Sequence, residues 1–479
     1  MLLNPIDFGD NPYLVGPHAP VRKELDKPSL KYVGQVPKDF SGIYLRNGPN
    51  QIHPPCGTYH WFDGDGMVHG VEFREGRVNY RNRWINTAGL KQEQKTGHSL
   101  WPGLMDPPNR SLQEAWGSDL CLKDNSNTDL TIHGGKAIST FYQCGEAYTL
   151  DPLSLETLGT LDLLSGGGRQ MSAHCMTDEQ SGDLLFFDYA TKRPYMTYGV
   201  FDKDANLVHH TAIDLPGARL PHTLAFTTNY SILMDLPMFW DPELLQKDVH
   251  KVSFYPDKAS RFGIITRFGQ GDSIKWFEAD PCYIYHAINS WEEGDMVVLD
   301  VCRMSTPVPS EAKKQKLAGP YGSMLAWLKL DASYHRYRFN LVSGETKEES
   351  LSDLLSEFPV INNRFGGLSS RYSYHVTLAD TDAILFDGLV KIDSETTQNQ
   401  EYKFPKGCFG SESQFAPRDN AKNEDDGYLI TLVTNMETNK GEIQIFPAED
   451  LTQGPICRVI VPQQIPPGFH SSFVLPENL

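Results

Sequence analysis

A short two-stranded unit recurs along the 479 residues, and its spacing constrains the fold more than any other feature. In each copy an apolar strand leads into a turn that begins with Asp, and a second strand follows. The copies read YTLDPLSLETLGTL, VFDKDANLVHHTAI, AWLKLDASYHRYRF, LVKIDSETTQNQEYKF and, less regularly, IQIFPAEDLTQGPICRVIV. Their turns begin at Asp151, Asp202, Asp331, Asp393 and Asp450, with separations of 51, 129, 62 and 57 residues. The longest separation fits two periods.

A period of about 50–60 residues in a strand-rich chain predicts an all-β fold, a β-propeller of four-stranded blades. Dividing the length by this period, and allowing for insertions between repeats, gives roughly seven to eight blades. We expect the propeller to be a single domain that takes up residues 1–479. The repeats alone leave a large β-sandwich, or two all-β domains, as alternatives. Helical periodicity is confined to two short segments, residues 239–249 and 347–356.

Charge and cysteine usage exclude several classes of protein. The formal net charge is −18, whereas binding of nucleic acid needs a basic face. The eight cysteines are scattered without a CxxC pair, which argues against structural zinc and against a disulfide framework. The first residues, MLLNPIDFGDNPYL, lack the basic and apolar regions of a signal peptide. No run of 18 apolar residues occurs, so we expect a cytoplasmic protein without a membrane-spanning segment.

Four histidines lie in strand-like or turn-bounded apolar sequence at separations that suit the blade period. They are His174, His222, His286 and His470, with gaps of 48, 64 and 184 residues. The inner strands of successive blades approach one axis, so one residue from each of four blades can meet there. Four neutral imidazoles suit a divalent ion such as Fe(II), Zn or Cu. Other quartets can be assembled from the 15 histidines, and a lone histidine in a strand is more often a hydrogen-bonded core residue.

Two carboxylates also lie in apolar sequence, whereas most of the other acidic residues belong to solvated runs. They are Glu357 in LLSEFPVIN and Glu412 in CFGSESQFAP. Histidines that bind a metal usually donate their second N–H to a carboxylate or a carbonyl. Glu357 and Glu412 are therefore candidates for orienting the histidines.

Several ordered motifs make the chain resemble the carotenoid cleavage oxygenases almost from end to end. The motifs are RNGPN, YHWFDGDGMVHG, WFEADPCYIYHAINSWEEGD, SEFPVIN and VPQQIPPGFHSSF. The resemblance implies a seven-bladed propeller with a dome of loops and short helices over the metal-bearing face. It also implies one Fe(II) per chain on the propeller axis, with O2 as co-substrate. The metal-binding and catalytic positions of the family fall on His174, His222, His286 and His470.

In this family three glutamates support three of the histidines, and two of them match Glu357 and Glu412. At the third, the family pattern LALxExGxPY is replaced by AISTFYQCGEAYTLDP. Counting from the flanking motifs places either Gln143 or Tyr142 there, and we take Gln143 as the candidate. Its amide oxygen can accept an imidazole N–H but carries no negative charge. The FYQCG segment is similar to that of a zaxinone-synthase-like branch, which points towards apocarotenoids.

The same resemblance places five further residues along the substrate tunnel of the family. They are Phe62, Thr128, Tyr142, Tyr285 and Phe358. Each has a simpler interpretation as a core aromatic residue or, for Thr128, as a strand residue that faces its neighbour. The segment HWFDGDGM is interpreted as a tight structural turn, because aspartates between glycines favour turns.

The motifs and the histidines together predict a non-haem dioxygenase. It adds O2 across a conjugated C=C bond of a carotenoid or apocarotenoid, which fragments to two carbonyl products. Cleavage of stilbenoids or phenylpropanoids is the alternative within the family. Relatives of that kind bind the phenol through a tyrosine and a lysine, whereas the corresponding segments here are GLMDPPNR, without tyrosine, and STFYQCG, without lysine. A retinoid-isomerase-like enzyme and a non-catalytic binding propeller are further alternatives.

The expected partner is a small hydrophobic polyene that is nearly insoluble in water. We therefore expect peripheral contact with a membrane through two apolar segments, SLWPGLMDPP at 99–108 and ILMDLPMFW at 232–240. Packing of both segments within the dome is the alternative.

Overall fold

Antiparallel sheets dominate the structure, a computed structural model that describes residues 3, 6–106, 111–112, 122–163, 170–247, 251–308, 325 and 330–478. Within these ranges the strand pairings form seven blades of a β-propeller. The predicted all-β propeller is confirmed, and so is the number of blades that the family resemblance implies. That residues 1–479 form one domain stays a prediction.

The N-terminal elements and the first three complete blades occupy the chain as far as residue 279. The N-terminal elements are β1 (Asp26–Lys27), β2 (Tyr32–Gly34), β3 (Gly42–Arg46), β4 (Met67–Arg74), β5 (Arg77–Trp84) and α1 (Ala88–Thr96). The next blade contains β6 (Asp129–His133), β7 (Lys136–Thr140), β8 (Tyr148–Leu150) and β9 (Thr157–Thr160). It is followed by β10 (Met176–Thr177), β11 (Leu184–Tyr189), β12 (Met196–Phe201) and β13 (Leu207–Ile213). The third contains β14 (Ala225–Phe226), β15 (Tyr230–Asp235), β18 (Ser260–Thr266) and β19 (Lys275–Ala279), with β16 (Met238–Trp240), α2 (Pro242–Leu245) and β17 (Val252–Phe254) inserted.

Three more blades and one closing strand follow. The fourth contains β20 (Tyr283–Glu293), β21 (Met296–Met304), β22 (Ser333–Asn340) and β23 (Thr346–Ser350). The fifth contains β24 (Ser356–Val360), β25 (Tyr372–Leu378), β26 (Phe386–Asp393) and β27 (Asn399–Lys403). The sixth contains β28 (Cys408–Phe409), β29 (Ser413–Pro417), β30 (Gly427–Asn435), β31 (Lys440–Pro447) and β32 (Cys457–Val461), and β33 (Ser471–Val474) ends the chain.

The seventh blade joins the two ends of the chain and closes the ring. Its strand order is β33-β3-β4-β5, with β1 at the outer edge. The register pairs Ile43 with Val474 and Arg46 with Ser471. The other N-terminal strand, β2, extends the sixth blade by pairing with β32.

The middle strands of the blades are apolar along most of their length because neighbouring blades cover both of their faces. In β21 the residues from Val297 to Cys302 are all buried. In β23, the outermost strand of the same blade, every residue is exposed or half-buried. The pattern is typical of sheets that stack face to face around an axis.

Four of the five sequence units are hairpins that join the third and fourth strands of a blade, namely β8–β9, β12–β13, β26–β27 and β31–β32. The leading aspartate of each hairpin accepts backbone N–H groups of the turn that it opens. Asp393, for example, accepts the N–H groups of Glu395 at 3.0 Å and Thr396 at 3.2 Å. This side-chain turn explains why Asp recurs at these positions.

The unit centred on Asp331 differs from the other four, and its first strand is not tested. Asp331 lies before β22, and residues 326–329, which would form its first strand, lie outside the described residues. The hairpin of this blade is β22–β23, in which Asn340 accepts the N–H groups of Val342 at 2.9 Å and Ser343 at 2.8 Å. An amide oxygen opens the turn here, so a search for Asp alone missed the repeat.

Of the two predicted helices, one is shorter than expected and the other is wrong. The four-residue helix α2 lies inside 239–249, of which residues 248 and 249 are not described. The segment 347–356 instead contains most of β23, an irregular stretch and the start of β24. Its charged residues pair across strands, since Glu349 forms an ion pair with Arg338 and Glu348 lies 3.1 Å from His335. Cross-strand pairing thus produced a pattern that looked helical.

Long connections gather on the face of the propeller where the inner strands begin, and we call them the dome. Their described parts are residues 47–66, 85–106, 111–112, 122–128, 236–247, 251–259, 305–308, 325 and 330–332. The connections on the opposite face are shorter, and β6–β7 is joined by only Gly134 and Gly135. The dome therefore covers the end of the axis at which the inner strands start, as predicted.

The apolar segments expected at a membrane are largely buried. All residues from Ile232 to Trp240 are buried, so this segment packs in the interior, which is the alternative that the sequence left open. In the other segment Leu100 and Trp101 are also buried, while residues 107 and 108 are not described. Among the described residues, no helix is long and apolar enough to cross a bilayer. Contact with a membrane surface stays a prediction, as does a cytoplasmic location.

Candidate metal centre

Each of the seven inner strands brings one ionisable side chain to the end of the axis beneath the dome. Four of these residues are histidines and three are carboxylates. In chain order they are Asp129, His174, His222, His286, Glu357, Glu412 and His470. Asp129, His286 and Glu357 lie near the start of β6, β20 and β24, and the others lie up to three residues before β10, β14, β29 and β33.

The four predicted histidines are brought together. One ring nitrogen from each of His174, His222 and His286 lies within 4.8 Å of the others. The ring centroid of His470 lies 4.3 Å from that of His174 and 4.8 Å from that of His286. Each of the four residues is between 6% and 7% exposed. The spacing argument from the sequence therefore found a real spatial cluster.

Glu357 and Glu412 contact two of these histidines, as predicted. Glu357 is hydrogen-bonded to Nδ1 of His286 and also accepts the backbone N–H of Phe358 at 2.6 Å. Glu412 lies 2.9 Å from Nδ1 of His470 and accepts the backbone N–H of Ser471 at 2.6 Å. In both pairs the carboxylate is anchored on backbone and leaves Nε2 of the histidine facing the cluster.

A third carboxylate, Asp129, was not singled out from the sequence. Its Oδ2 lies 3.5 Å from Nδ1 of His174 and accepts the backbone N–H of the same residue at 3.0 Å. The signal that would have found it is an acid inside the apolar strand segment NTDLTIH. Gln143, the predicted third partner, is buried and hydrogen-bonded to the side chain of Tyr142. A contact between Gln143 and a histidine stays a prediction.

Two residues of the site adopt left-handed backbone conformations that are rare without glycine. His174 has a φ of 60° and Phe358 a φ of 50°. Such conformations cost roughly 1–3 kcal/mol and persist where the surroundings hold them. Here they aim the His174 ring at the cluster and place the Phe358 ring 4.8 Å from the ring centroids of both His286 and His470.

Burial controls the charge of the centre. It lowers the pKa of His174, His222 and His470 well below the usual value, with a smaller contribution from neighbouring histidines. These imidazoles are therefore neutral near pH 7 and can donate a lone pair. Burial also raises the pKa of Glu412 well above its usual range, and it raises that of Asp129 to about 6.

The donor set fits a divalent transition-metal ion. The Nε2 atoms of His174 and His286 are buried and have no hydrogen-bond partner among the described residues. A buried polar atom without a partner is costly, and a bound ion would satisfy both. Neutral imidazoles without thiolates suit Fe(II), Zn or Cu. The geometry therefore supports a site for a divalent transition-metal ion.

A narrow apolar pocket opens beside the histidines on the dome side. His222, His286 and His470 form part of its wall. All five predicted tunnel residues line it, namely Phe62, Thr128, Tyr142, Tyr285 and Phe358. Trp61, Leu330 and Phe469 complete the lining and were missed, although Trp61 and Phe469 are adjacent to predicted residues.

The HWFDGDGM segment supports this wall as a structural turn. His60 accepts the N–H of Phe62 at 3.2 Å, and Asp63 accepts the N–H of His60 at 2.8 Å. Trp61–Asp63 forms a short 3-10 turn that presents two aromatic rings to the pocket. A second, more polar cavity reaches His174 from the opposite end of the axis.

Comparisons with known proteins agree with this architecture. The model of the family described as retinal pigment epithelial membrane protein matches residues 18–475. A carotenoid 9,10(9',10')-cleavage dioxygenase of Arabidopsis thaliana is 33% identical over 98% of this chain and 90% of its own length. The chain belongs to the carotenoid cleavage oxygenase family. The predicted dioxygenase type of enzyme is confirmed at the level of this family.

The chain is also similar to proteins with other names. The isoeugenol monooxygenase of Pseudomonas nitroreducens is 28% identical over 97% of this chain and 98% of its own. The crystal structure of the Pseudomonas brassicacearum lignostilbene dioxygenase superposes with a TM-score of 0.85 at 24% identity, covering 98% of this chain and 100% of that one. This likeness establishes the shared fold.

Proposed function

We propose that the chain is a non-haem Fe(II)-dependent dioxygenase that cleaves one conjugated C=C bond of a carotenoid or apocarotenoid. The observation that most supports this proposal is that three of the four clustered histidines form part of the wall of a narrow apolar pocket. The four imidazoles would hold about one Fe(II) per chain. Bound there, Fe(II) supplies a Lewis-acidic, redox-active position for dioxygen.

The surrounding residues position the substrate and exclude water. The ring centroid of Phe62 lies 5.0 Å from that of Tyr142 and 5.2 Å from that of Phe469. These three rings give a polyene an aromatic surface to pack against. Tyr285 lies 4.8 Å from the ring of His222. Both atoms of O2 end in the two carbonyl products, so the reaction needs no external reductant. It also needs no acid or base, which agrees with neutral imidazoles.

A carotenoid or apocarotenoid fits this pocket better than a phenolic stilbene. A buried phenol needs a hydrogen-bond partner, because an unpaired polar group costs roughly 1–3 kcal/mol. The described lining contains no lysine, and Lys123 of the dome is buried in ion pairs with Asp65 and Glu93. The hydroxyls of Tyr142 and Tyr285 can meet a polar end group, which favours an apocarotenoid over a hydrocarbon carotene.

Cleavage of a stilbenoid is the second candidate, and a specific comparison favours it. The isoeugenol monooxygenase shares 28% identity over nearly the whole chain. In this case one of the two pocket tyrosines would have to bind the phenol. The remaining parts of our proposal are a single domain over residues 1–479, a cytoplasmic location and peripheral contact with the membrane that supplies the polyene.

The test is a kinetic comparison of iron-loaded protein on β-carotene, apocarotenals, resveratrol and isoeugenol, with the products identified by mass spectrometry under 18O2. We expect turnover of an apocarotenal or a carotenoid, with label in both carbonyl products. The matched variant is Tyr285→Phe, which removes one hydroxyl and keeps the ring. It should raise KM for an apocarotenal and leave KM for a hydrocarbon carotene unchanged. Turnover of resveratrol or isoeugenol alone would overturn the proposal in favour of the second candidate.

A further inference from the structure

The side chain of Asp129 is anchored at the start of β6 and reaches across to the next blade. Its Oδ1 accepts the backbone N–H of Leu130 at 2.7 Å, within its own strand. Its Oδ2 accepts the backbone N–H of His174 at 3.0 Å. One carboxylate therefore links the inner strand of one blade to the histidine that precedes the inner strand of the next.

The backbone that Asp129 holds is one of the two strained segments of the metal centre. His174 has a φ of 60°, a left-handed conformation that is unfavourable for a residue with a side chain. A hydrogen bond from a backbone N–H to a carboxylate is stronger than one between neutral groups. The bond from His174 N–H to Asp129 therefore stabilises the backbone conformation that aims the imidazole at the cluster.

The imidazole of His174 is also oriented by the same carboxylate. Its Nδ1 lies 3.5 Å from Oδ2 of Asp129, while its Nε2 is buried without a partner among the described residues. At 3.5 Å the contact between the ring and Asp129 is longer than a good hydrogen bond, so Asp129 positions His174 mainly through its backbone N–H. One ring nitrogen faces a carboxylate and the other faces the cluster, as in the pairs His286–Glu357 and His470–Glu412.

We propose that Asp129 is a positioning residue of the metal centre, which holds the backbone and the ring of His174 in the geometry that binds the ion. This inference rests on the iron site proposed above. The chain would then have three carboxylate-supported histidines, with the third support on β6 rather than at Gln143. Both oxygens of Asp129 are engaged by backbone N–H groups, which favours a supporting role over direct coordination.

Three variants test the proposal. Asp129→Ala removes both contacts with His174, and Asp129→Asn keeps the shape but retains an acceptor for only one of the two N–H groups. The matched control is Thr131→Val, because Thr131 links the same two segments by donating to the carbonyl of Cys175 at 3.0 Å. Near-UV circular dichroism shows whether each variant is folded. The readouts are iron affinity by chelator competition, the electron paramagnetic resonance spectrum of the Fe(II)–nitric oxide adduct, and kcat and KM separately.

We expect Asp129→Ala to lower iron affinity by about 10-fold, towards the small end of the 10–100-fold range for residues that support ligands. Its nitric oxide spectrum should shift, and kcat should fall more than KM changes. Asp129→Asn should fall between Asp129→Ala and the wild type, and Thr131→Val should match the wild type.

Three outcomes would overturn the proposal. Wild-type affinity, spectrum and kcat in Asp129→Ala would make the contact with His174 incidental. Loss of iron in both Asp129 variants as complete as in His174→Ala would make Asp129 a ligand. A wild-type chain that binds no iron would overturn the proposed function together with this inference.

Discussion

At the scale of single residues, each carboxylate of the centre is held by backbone N–H groups and in turn contacts one histidine. Glu412 shows the arrangement, since one oxygen faces Nδ1 of His470 and the other accepts the N–H and the hydroxyl of Ser471. Removing a histidine should therefore leave the surrounding carboxylates in place. Removing a carboxylate should loosen a histidine without deleting a donor atom.

The first prediction concerns a proposed ligand. His286→Ala removes one of four imidazoles, and we expect iron well below one per chain and loss of turnover. Iron is measured by elemental analysis after anaerobic reconstitution. The control is His209→Ala, because His209 lies half-buried in β13 and bonds to the carbonyl of Gly269. Full activity of His286→Ala would remove the basis of the proposed site.

The second prediction concerns the glutamates. Glu357→Gln and Glu412→Gln should each lower iron affinity or kcat by about 10- to 100-fold while the protein stays folded, because an amide holds the imidazole without charge. Glu424→Gln is the matched control, since Glu424 accepts the N–H groups of Arg371 and Tyr372 on the opposite face. If both site variants kept wild-type iron binding and turnover, the two glutamates would be structural.

At the scale of elements, the closing pair β3–β33 ties the metal centre to the stability of the ring. His470 lies immediately before β33, and the backbone N–H of Asn47, which follows β3, donates to the carbonyl of His470 at 2.9 Å. Loosening this pair should therefore affect the fold and the position of one proposed ligand together.

The third prediction follows from that coupling. Leu45 in β3 is fully buried and packs in a cluster with Val474 of β33. Leu45→Ala should lower the free energy of unfolding by about 2–5 kcal/mol, as for other buried leucines. Leu158→Ala, at a residue of β9 that is 54% exposed, should change it by less than about 0.5 kcal/mol. Denaturant titration measures both, and similar midpoints for the two variants would contradict the role assigned to the closing pair.

At the scale of the whole molecule, burial shifts the pKa values of interior histidines and aspartates in opposite directions. Burial lowers the pKa of His375 to about 3, in a site where its neighbours are the hydroxyls of Ser356 and Ser373 and the thiol of Cys302. Burial raises the pKa of Asp63 and Asp124 to about 7. The pH dependence of stability is therefore a sum of terms with different signs.

The fourth prediction isolates the histidine contribution. Between the unfolded pKa of about 6.5 and the folded value of about 3, the unfolded chain binds one more proton at His375 than the folded chain does. This contribution to stability is present above pH 6.5 and falls by about 1.4 kcal/mol for each unit below it. In His375→Gln the loss of stability from pH 7 to pH 5 should be correspondingly smaller. Equal losses in both proteins, by denaturant titration, would contradict the prediction.

Much of the architecture and four of the site residues could be predicted from the sequence, because both follow from a period. Asp-led turns are local hydrogen-bonding devices, so Asp151, Asp202, Asp393 and Asp450 mark their hairpins without reference to the rest of the fold. The histidine spacing follows the same period. Where an amide oxygen accepts the turn N–H groups instead, at Asn340, the repeat was missed.

The amino-acid sequence by itself determined the strand periodicity, the turn chemistry and the types of donor available, since these depend on neighbours along the chain. Only the tertiary structure decided which polar groups meet at the axis. Asp129 and His174 are 45 residues apart and become partners because adjacent blades start side by side. Tertiary structure also decided the burial of residues 232–240, because the sequence of an apolar segment is the same whether it packs in the core or lies on the surface. Contacts between blades depend on how the sheets stack around the axis, and spacing alone does not contain that information.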